Sequence, residues 1–248
     1  MGEEKRSFVD EDLAGARFER CWMTDAVIRG SGVSGMEIDD PWLLEDGGSL
    51  VVNGVDVVAY VDAELDRRFP GRSLRLAASA EDLRLAWGAV ERAWAGAVDR
   101  ALAMPAGAVD VSVAGEWSFS QTLRHLVMAT DTWLRRSIQG LEEPYHPIGQ
   151  PHAEYATDGY DLAVFSEASP SFDRVLEVRA ERLAMVRRFL ADLTDEQLQA
   201  ASTNPWAPEH PCRVLDSLQT ILNEEWEHLR YAVRDLDAQE GPRRLELT

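Results

Sequence analysis

The chain has 248 residues, 45% of them hydrophobic and 28% charged, which fits one large folded domain or a medium one with an appendage. Lys and Arg number 25 against 44 Asp and Glu, and the resulting charge of −19 repels phosphate backbones and anionic lipid. Nucleic acid and membrane surfaces are therefore not expected partners, and the plainer role of the acid is solubility.

The opening stretch MGEEKRSFVDEDLAG has no apolar core of the secretory-signal kind. No window approaches the roughly 18 apolar residues that a membrane span needs. Cys21 and Cys212 stand far apart with no CxxC pattern, which suits a reducing compartment. The expected address is the cytoplasm.

Residues 11–43 show neither helical nor strand alternation. Read in fives, an apolar residue returns at Leu13, Phe18, Met23, Ile28, Val33, Ile38 and Leu43. Small residues precede several of them by two: Ala16, Cys21, Ala26 and Ser31. Such a period suits a four-sided coil whose apolar residues fill the axis; the alternative is an irregular Gly-rich arm with coincidental spacing. The stretch resembles the pentapeptide-repeat family, which implies a right-handed quadrilateral β-helix. So short a coil cannot cover its own ends and is expected to dock on something. The arm is taken as residues 1–55.

Residues 56–78 read as a connector. SLVVNGVDVVAYVDAELDRRFPGR offers a short strand, an Asn53-Gly54 turn, and a helix from about Asp56 to Arg68 stopped by Pro70-Gly71. From Ser79 to residue 240 the period is helical, and 241–248 form a tail. The first long helix carries Leu83, Trp87, Val90, Trp94, Val98 and Leu102; the second opens with the capping pair Ser118 and Gln121 and closes at Gly140. The third carries Phe172, Val175, Leu176, Leu183, Val186 and Leu190; the fourth carries Val214, Leu218, Ile221, Leu222, Leu229, Ala232, Val233 and Leu236. Four amphipathic helices predict a mainly α fold, an up-down four-helix bundle with a small β-helix-like N-terminal segment. The long connection 141–168 holds Tyr145, His146, His152, Tyr155 and Tyr160. It is either one wall of a pocket or a surface crossover held down by its aromatics.

On the last helix, LNEEWEHLRYAVRDL places Glu225 in the middle of the apolar stripe, His228 on its flank and Glu224 at its edge. Glu224 and His228 are i, i+4 neighbours and reach one point. A carboxylate among apolar helices must be paired or bound to a cation. Arg124, Arg230 and Arg234 are candidate partners, and a metal ion is the other solution. His125 lies on the inward side of the second helix with Thr122, Leu126, Ala129 and Trp133. Two imidazoles and a carboxylate from two helices make a divalent metal site with open positions. The plainer alternative is histidines satisfied by a carbonyl or a buried acid.

EWSFSQTLRHLVMATDTWLRR together with LNEEWEHLRYAVRDL resembles the DinB-like (DinB/YfiT) superfamily over about residues 79–240. The resemblance implies His125, Glu224 and His228 as metal ligands. Its Glu-xxx-His pattern is similar to the branch that includes mycothiol-dependent maleylpyruvate isomerase. Zinc is the implied metal, with nickel, iron and manganese as alternatives. Glu225 is expected to accept a hydrogen bond behind the ligands, or to replace Glu224 as the carboxylate ligand. The implied chemistry is transfer or isomerisation of a low-molecular-weight thiol or its adduct on a small-molecule substrate. The Ala/Arg/Val/Asp-rich composition suggests a GC-rich genome of the actinobacterial kind, for which mycothiol is the expected thiol. No Ser-His-Asp triad, phosphate loop or dinucleotide fingerprint is present, so catalytic residues stay unassigned. The competing function is a metal-stabilised scaffold whose arm binds a protein partner or a second copy in a homodimer.

Overall fold

Ser79, Ser118 and Ser171 each stand just ahead of a helical run, and each side chain accepts a hydrogen bond from the backbone two or three residues on. They open α2 (Ala80–Leu102), α3 (Phe119–Thr130) and α4 (Phe172–Ala191). At Ser118 the cap is reciprocal, because Gln121 Oε1 accepts from the Ser118 N–H at 2.9 Å. The last long helix, α6 (Val214–Glu240), begins where Asp216 accepts from the Arg213 N–H at 2.9 Å. The chain is mainly helical. Among the described residues, no helix is long and apolar enough to cross a membrane.

The computed structural model describes residues 7–44 and 47–241. The chain divides into two compact units, Met1–Asp40 and Pro41–Thr248. The division at Asp40 comes earlier than the expected end of the arm at residue 55, and the stretch between belongs to the second unit. Of the expected tail 241–248, only Gly241 lies within the described residues.

In the second unit, β1 (Val51–Val52) pairs antiparallel with β2 (Val55–Asp56). Asn53 and Gly54 both take positive φ, 50° and 83°, which is the two-residue turn that suits the strand twist. The Asn-Gly signal therefore marks a hairpin, where the sequence suggested one strand. Next comes α1 (Val58–Arg68), then a 3₁₀ turn at Arg72–Leu76 that packs on α2 and α6. Gly71 joins them with φ +98°, and a Cβ added there would stand 2.6 Å from the Ala89 Cβ on α2. Gly71→Ala is expected to cost about 2 kcal/mol, from a left-handed backbone plus overpacking. Urea denaturation of the variant measures it; a loss below about 0.5 kcal/mol would mean that the connector yields instead of clashing.

The residues that meet fix the directions of the long helices. Arg84 reaches the Leu190 and Leu193 carbonyls, the Trp87 Nε1 donates to the Leu183 carbonyl at 3.3 Å, and Arg187 pairs with Glu91. So α2 and α4 are antiparallel. Arg182 on α4 pairs with Asp131 beyond the middle of the second rod, while Phe119 meets Phe172 at the starts of α3 and α4. So α3 and α4 run the same way. Ser137 meets Ser217 at 2.8 Å, making the second rod antiparallel to α6, and Arg100 pairs with Asp237 and Glu240, making α2 and α6 parallel. Strict up-down alternation is corrected by these contacts. The long 141–168 connection is what lets the chain return to the starting end before α4 begins.

The apolar stripes supply the core, with Leu83, Trp87, Leu123, Leu126, Val178, Ile221, Trp226 and Leu236 all nearly inaccessible. Leu102 departs from its expected place, being 55% exposed while Ala101 takes the inward position. After Thr130 the rod continues as a π-helix, Asp131–Ile138, and Gly140 ends it with φ 68°. Two small elements went unread in the sequence. They are α5 (Asp195–Leu198), with its own Thr194–Gln197 capping box, and the pair β3 (Ala201–Ser202) and β4 (Cys212–Arg213).

The first unit keeps a period of five in its backbone. Positive φ recurs at Asp10, Gly15, Arg20, Asp25, Gly30 and Gly35. Turns close from Ala16 to Leu13, Ala26 to Met23 and Met36 to Val33, at 2.9–3.0 Å. Each left-handed residue follows an apolar one by two. The apolar column itself stays half open, from Leu13 at 45% to Ile28 at 56% exposed.

Candidate metal centre

His125 sits two turns into α3, on a segment where every residue from Thr122 to Thr130 is buried. Glu224 and His228 lie one turn apart on α6, the neighbour that runs antiparallel to it. The three side chains converge, with one ligand atom of each within 4.8 Å of the others. His125 Nε2 is 3.4 Å and His228 Nε2 is 3.2 Å from Glu224 Oε2. The side chains are 11%, 31% and 16% exposed for His125, Glu224 and His228, so the cluster meets solvent on the Glu224 side.

Proton bookkeeping decides what the cluster wants. His125 Nδ1 lies 2.9 Å from the Gln150 carbonyl oxygen, which can only accept, so Nδ1 carries the hydrogen. Nε2 then faces the Glu224 carboxylate either as a lone pair, in the neutral ring, or as a second N–H, in the protonated ring. Burial pushes the Glu224 carboxyl up, but hydrogen bonding and charge from His125 and His228 outweigh it and hold Glu224 well below the usual carboxylate range. Burial and repulsion from His125 push the His228 imidazole down, against the pull of Glu224. In the neutral His125 ring an acceptor faces an acceptor, and the gap between its Nε2 and Glu224 Oε2 is one that a proton or a cation fills; His228 Nε2 faces the same oxygen. Two nitrogens and one oxygen at this spacing fit a divalent ion of the zinc type.

Trp117 covers the cluster, its ring centroid 4.6 Å from that of His125 and 6.0 Å from that of His228. It lies just outside the helix, so no periodicity marked it. Tyr231, one helical step beyond, meets the His228 ring edge-on at 6.0 Å.

Glu225 goes elsewhere. Its Oε2 accepts from the Arg179 Nη2 on α4, and both side chains are nearly inaccessible, at 1% and 4%. Burial pushes the Glu225 carboxyl up and the Arg179 guanidinium pulls it back only in part. Trp94 also pulls the Glu225 carboxyl down, while Arg179 Nε and Nη1 lack a partner among the described residues. None of the three arginines proposed from sequence pairs with Glu225. Arg124 bonds backbone carbonyls, Arg230 meets Glu227, and Arg234 meets Asp235.

Three of the four loop residues, Tyr145, His152 and Tyr155, form a block of their own. Tyr155 packs edge-on to Tyr145 at 6.4 Å and to His152 at 5.4 Å, and His152 meets Trp206 at 5.4 Å. His146 turns to Asp131, whose Oδ2 accepts from its backbone N–H at 2.8 Å. Its Nδ1 accepts from the Ile148 N–H, and burial together with Arg182 and Arg174 pushes its pKa down. Among the described residues, none of Tyr145, His146, His152 and Tyr155 contacts the triad. The loop reaches the triad through the Gln150 carbonyl. Asp131, fully buried at the start of the π-helix and bound by Arg182 and the His146 N–H, is a polar hub that the sequence did not reveal.

A mainly helical chain with two imidazoles and a carboxylate gathered from two rods is the framework of a metal-holding helical protein. The family model described as the DinB superfamily matches residues 62–232, well over half the chain, and the chain belongs to that superfamily, whose members commonly bind metal. The match begins inside α1, so the connector is part of the family region, which sequence reading had started at residue 79. No curated protein and no solved structure matches the chain significantly.

Proposed function

We propose that the chain is a divalent-metal-dependent enzyme on a DinB-type four-helix bundle, with His125, Glu224 and His228 as ligands. The observation that carries this reading is the convergence of two imidazoles and a carboxylate while the His125 Nδ1–H is committed to Gln150. Zinc suits the donor set best, with nickel, iron and manganese as alternatives. When bound, the ion supplies Lewis acidity to a small sulfur or oxygen nucleophile. The chain's own residues orient the imidazoles, keep Glu224 ionised and cover the cluster with Trp117. The Glu224-xxx-His228 pattern supports a substrate class of low-molecular-weight thiols, mycothiol in type, with S-transfer or isomerisation as the reaction in a cytoplasmic setting.

Cobalt substitution tests the thiol reading. Protein loaded with Co²⁺ and titrated with a low-molecular-weight thiol is expected to develop a sulfur-to-cobalt charge-transfer band. A spectrum unmoved by thiol removes the thiol chemistry and leaves the metal site standing.

The second reading is a metal-stabilised scaffold that acts through its first unit. It is favoured by the half-open apolar column Leu13, Phe18, Met23, Ile28, Val33 and Ile38, which suits a pentapeptide-type coil awaiting a partner or a second copy.

A further inference from the structure

Gln150 is held at both ends of its peptide units by neighbouring residues of α3. Its N–H donates to the Arg124 carbonyl at 3.2 Å, and its own carbonyl accepts from His125 Nδ1 at 2.9 Å. The Arg124 side chain then grips the same connection. Its Nε donates to the Ile148 carbonyl at 2.8 Å, Nη1 to Ala168 at 3.0 Å and Nη2 to Glu167 at 3.2 Å. All three guanidinium nitrogens are spent on backbone carbonyls. This is an unusual use of a buried guanidinium, which is 7% exposed. It ties Ile148 and the Glu167–Ala168 end of the 141–168 connection to the one helix that carries His125. The connection also closes on itself, with the Glu167 N–H donating to the Pro147 carbonyl at 3.1 Å.

We propose that Arg124 is a positioning residue for the metal centre: by clamping the 141–168 connection it holds the Gln150 carbonyl on His125 Nδ1, and so fixes the tautomer that leaves Nε2 for the ion. The proposal rests on the metal reading above. A carbonyl on the far nitrogen of a ligand imidazole orients the ring and raises its basicity, and loss of such a partner typically weakens metal binding 10–100-fold. Linkage makes the effect reciprocal, because an ion that favours this tautomer also favours the closed connection. The crossover is then more than a return path for the chain. It reports whether the centre is loaded.

Two variants probe the clamp from opposite sides. Arg124→Lys keeps the charge but cannot span three carbonyls. Gly149→Ala acts from the connection itself, since a Cβ there would stand 2.7 Å from the Phe165 ring and shift the chain beside Gln150. Zinc affinity is measured by competition with a chromophoric chelator, next to the helical circular dichroism of the metal-free protein. The expected result is zinc binding weakened about 10–100-fold in both variants with helicity kept. Hydrogen exchange on the unmutated chain gives a readout that needs no variant. Zinc is expected to slow exchange of the Gln150 amide and its neighbours. Folded variants with zinc affinity within twofold of the parent, or exchange in 141–168 indifferent to zinc, would overturn the proposal. Failure of the parent protein to bind zinc at all would take down the metal reading as well, which tells the two apart.

Discussion

Saturating zinc is expected to raise the melting midpoint of the metal-free protein by about 8–16 °C. The figure follows from linkage, since free ion at about a thousand times its dissociation constant adds about 4 kcal/mol, and a body of this size gains roughly 2–4 °C per kcal/mol. The mechanism is local. Without a cation, the Glu224 carboxylate stands 3.2–3.4 Å from two imidazole nitrogens, one of them with its hydrogen committed to the Gln150 carbonyl on its other side. A cation in that gap ties α3 to α6, and the unfolded chain has no such gathered site. His125→Ala, Glu224→Gln and His228→Ala are each expected to remove most of the zinc-induced shift. Differential scanning calorimetry with and without zinc checks this, and metal analysis of the dialysed protein gives the stoichiometry. A parent protein whose midpoint ignores zinc, or variants that respond as it does, would refute the ligand assignment.

Arg179→Met is expected to destabilise the fold by about 3–5 kcal/mol, because it strands the Glu225 carboxylate in the core. Burial already pushes the Glu225 carboxyl up even with the guanidinium present, so desolvation is costly at this position. The same imbalance gives the second half of the prediction. Replacing both partners, Arg179→Met with Glu225→Leu, is expected to recover most of the loss, since a well-packed apolar pair carries no desolvation cost. Urea denaturation of the two variants measures the difference. Zinc binding in the double variant decides which glutamate serves the ion. Retained binding leaves Glu224 as the carboxylate ligand, and lost binding would return Glu225 to the site.

How much of this was legible in the sequence varies with what each feature depends on. The start of α3 was legible because the Ser118–Gln121 pair caps within three residues, and the structure shows Ser79 and Ser171 capping by the same local chemistry. The phase of α6 was legible too. A period of 3.6 put Glu225 in the middle of the stripe, and it is 1% exposed. Its partner was not legible. Arg179 and Arg182 lie on the buried face of α4 among Val175, Val178 and Val186, and a stripe read from apolar residues alone passes over them. They belong inside because Glu225 and Asp131, on other segments, need counter-charges there. That is a tertiary fact with no local trace. The same holds for the direction of α4, which the contacts of Phe172 and Arg182 reveal and helix periodicity does not. The loop aromatics left two readings open, a pocket wall or a crossover held down by its own rings, because a ring pattern cannot tell self-packing from pocket lining. Gln150, whose carbonyl makes the actual contact, contributes by its backbone, and backbone roles leave no mark in residue type.

The left-handed residues of the first unit carry a consequence for how such a segment can change length. They recur at every fifth position from Asp10 to Gly35, each two places after an apolar side chain. Insertion or loss of one residue would throw every later apolar side chain off its edge and move the left-handed turns onto residues that resist them. Insertion or loss of five would leave all the others in phase. A change of length by whole pentads is the one that keeps this backbone period.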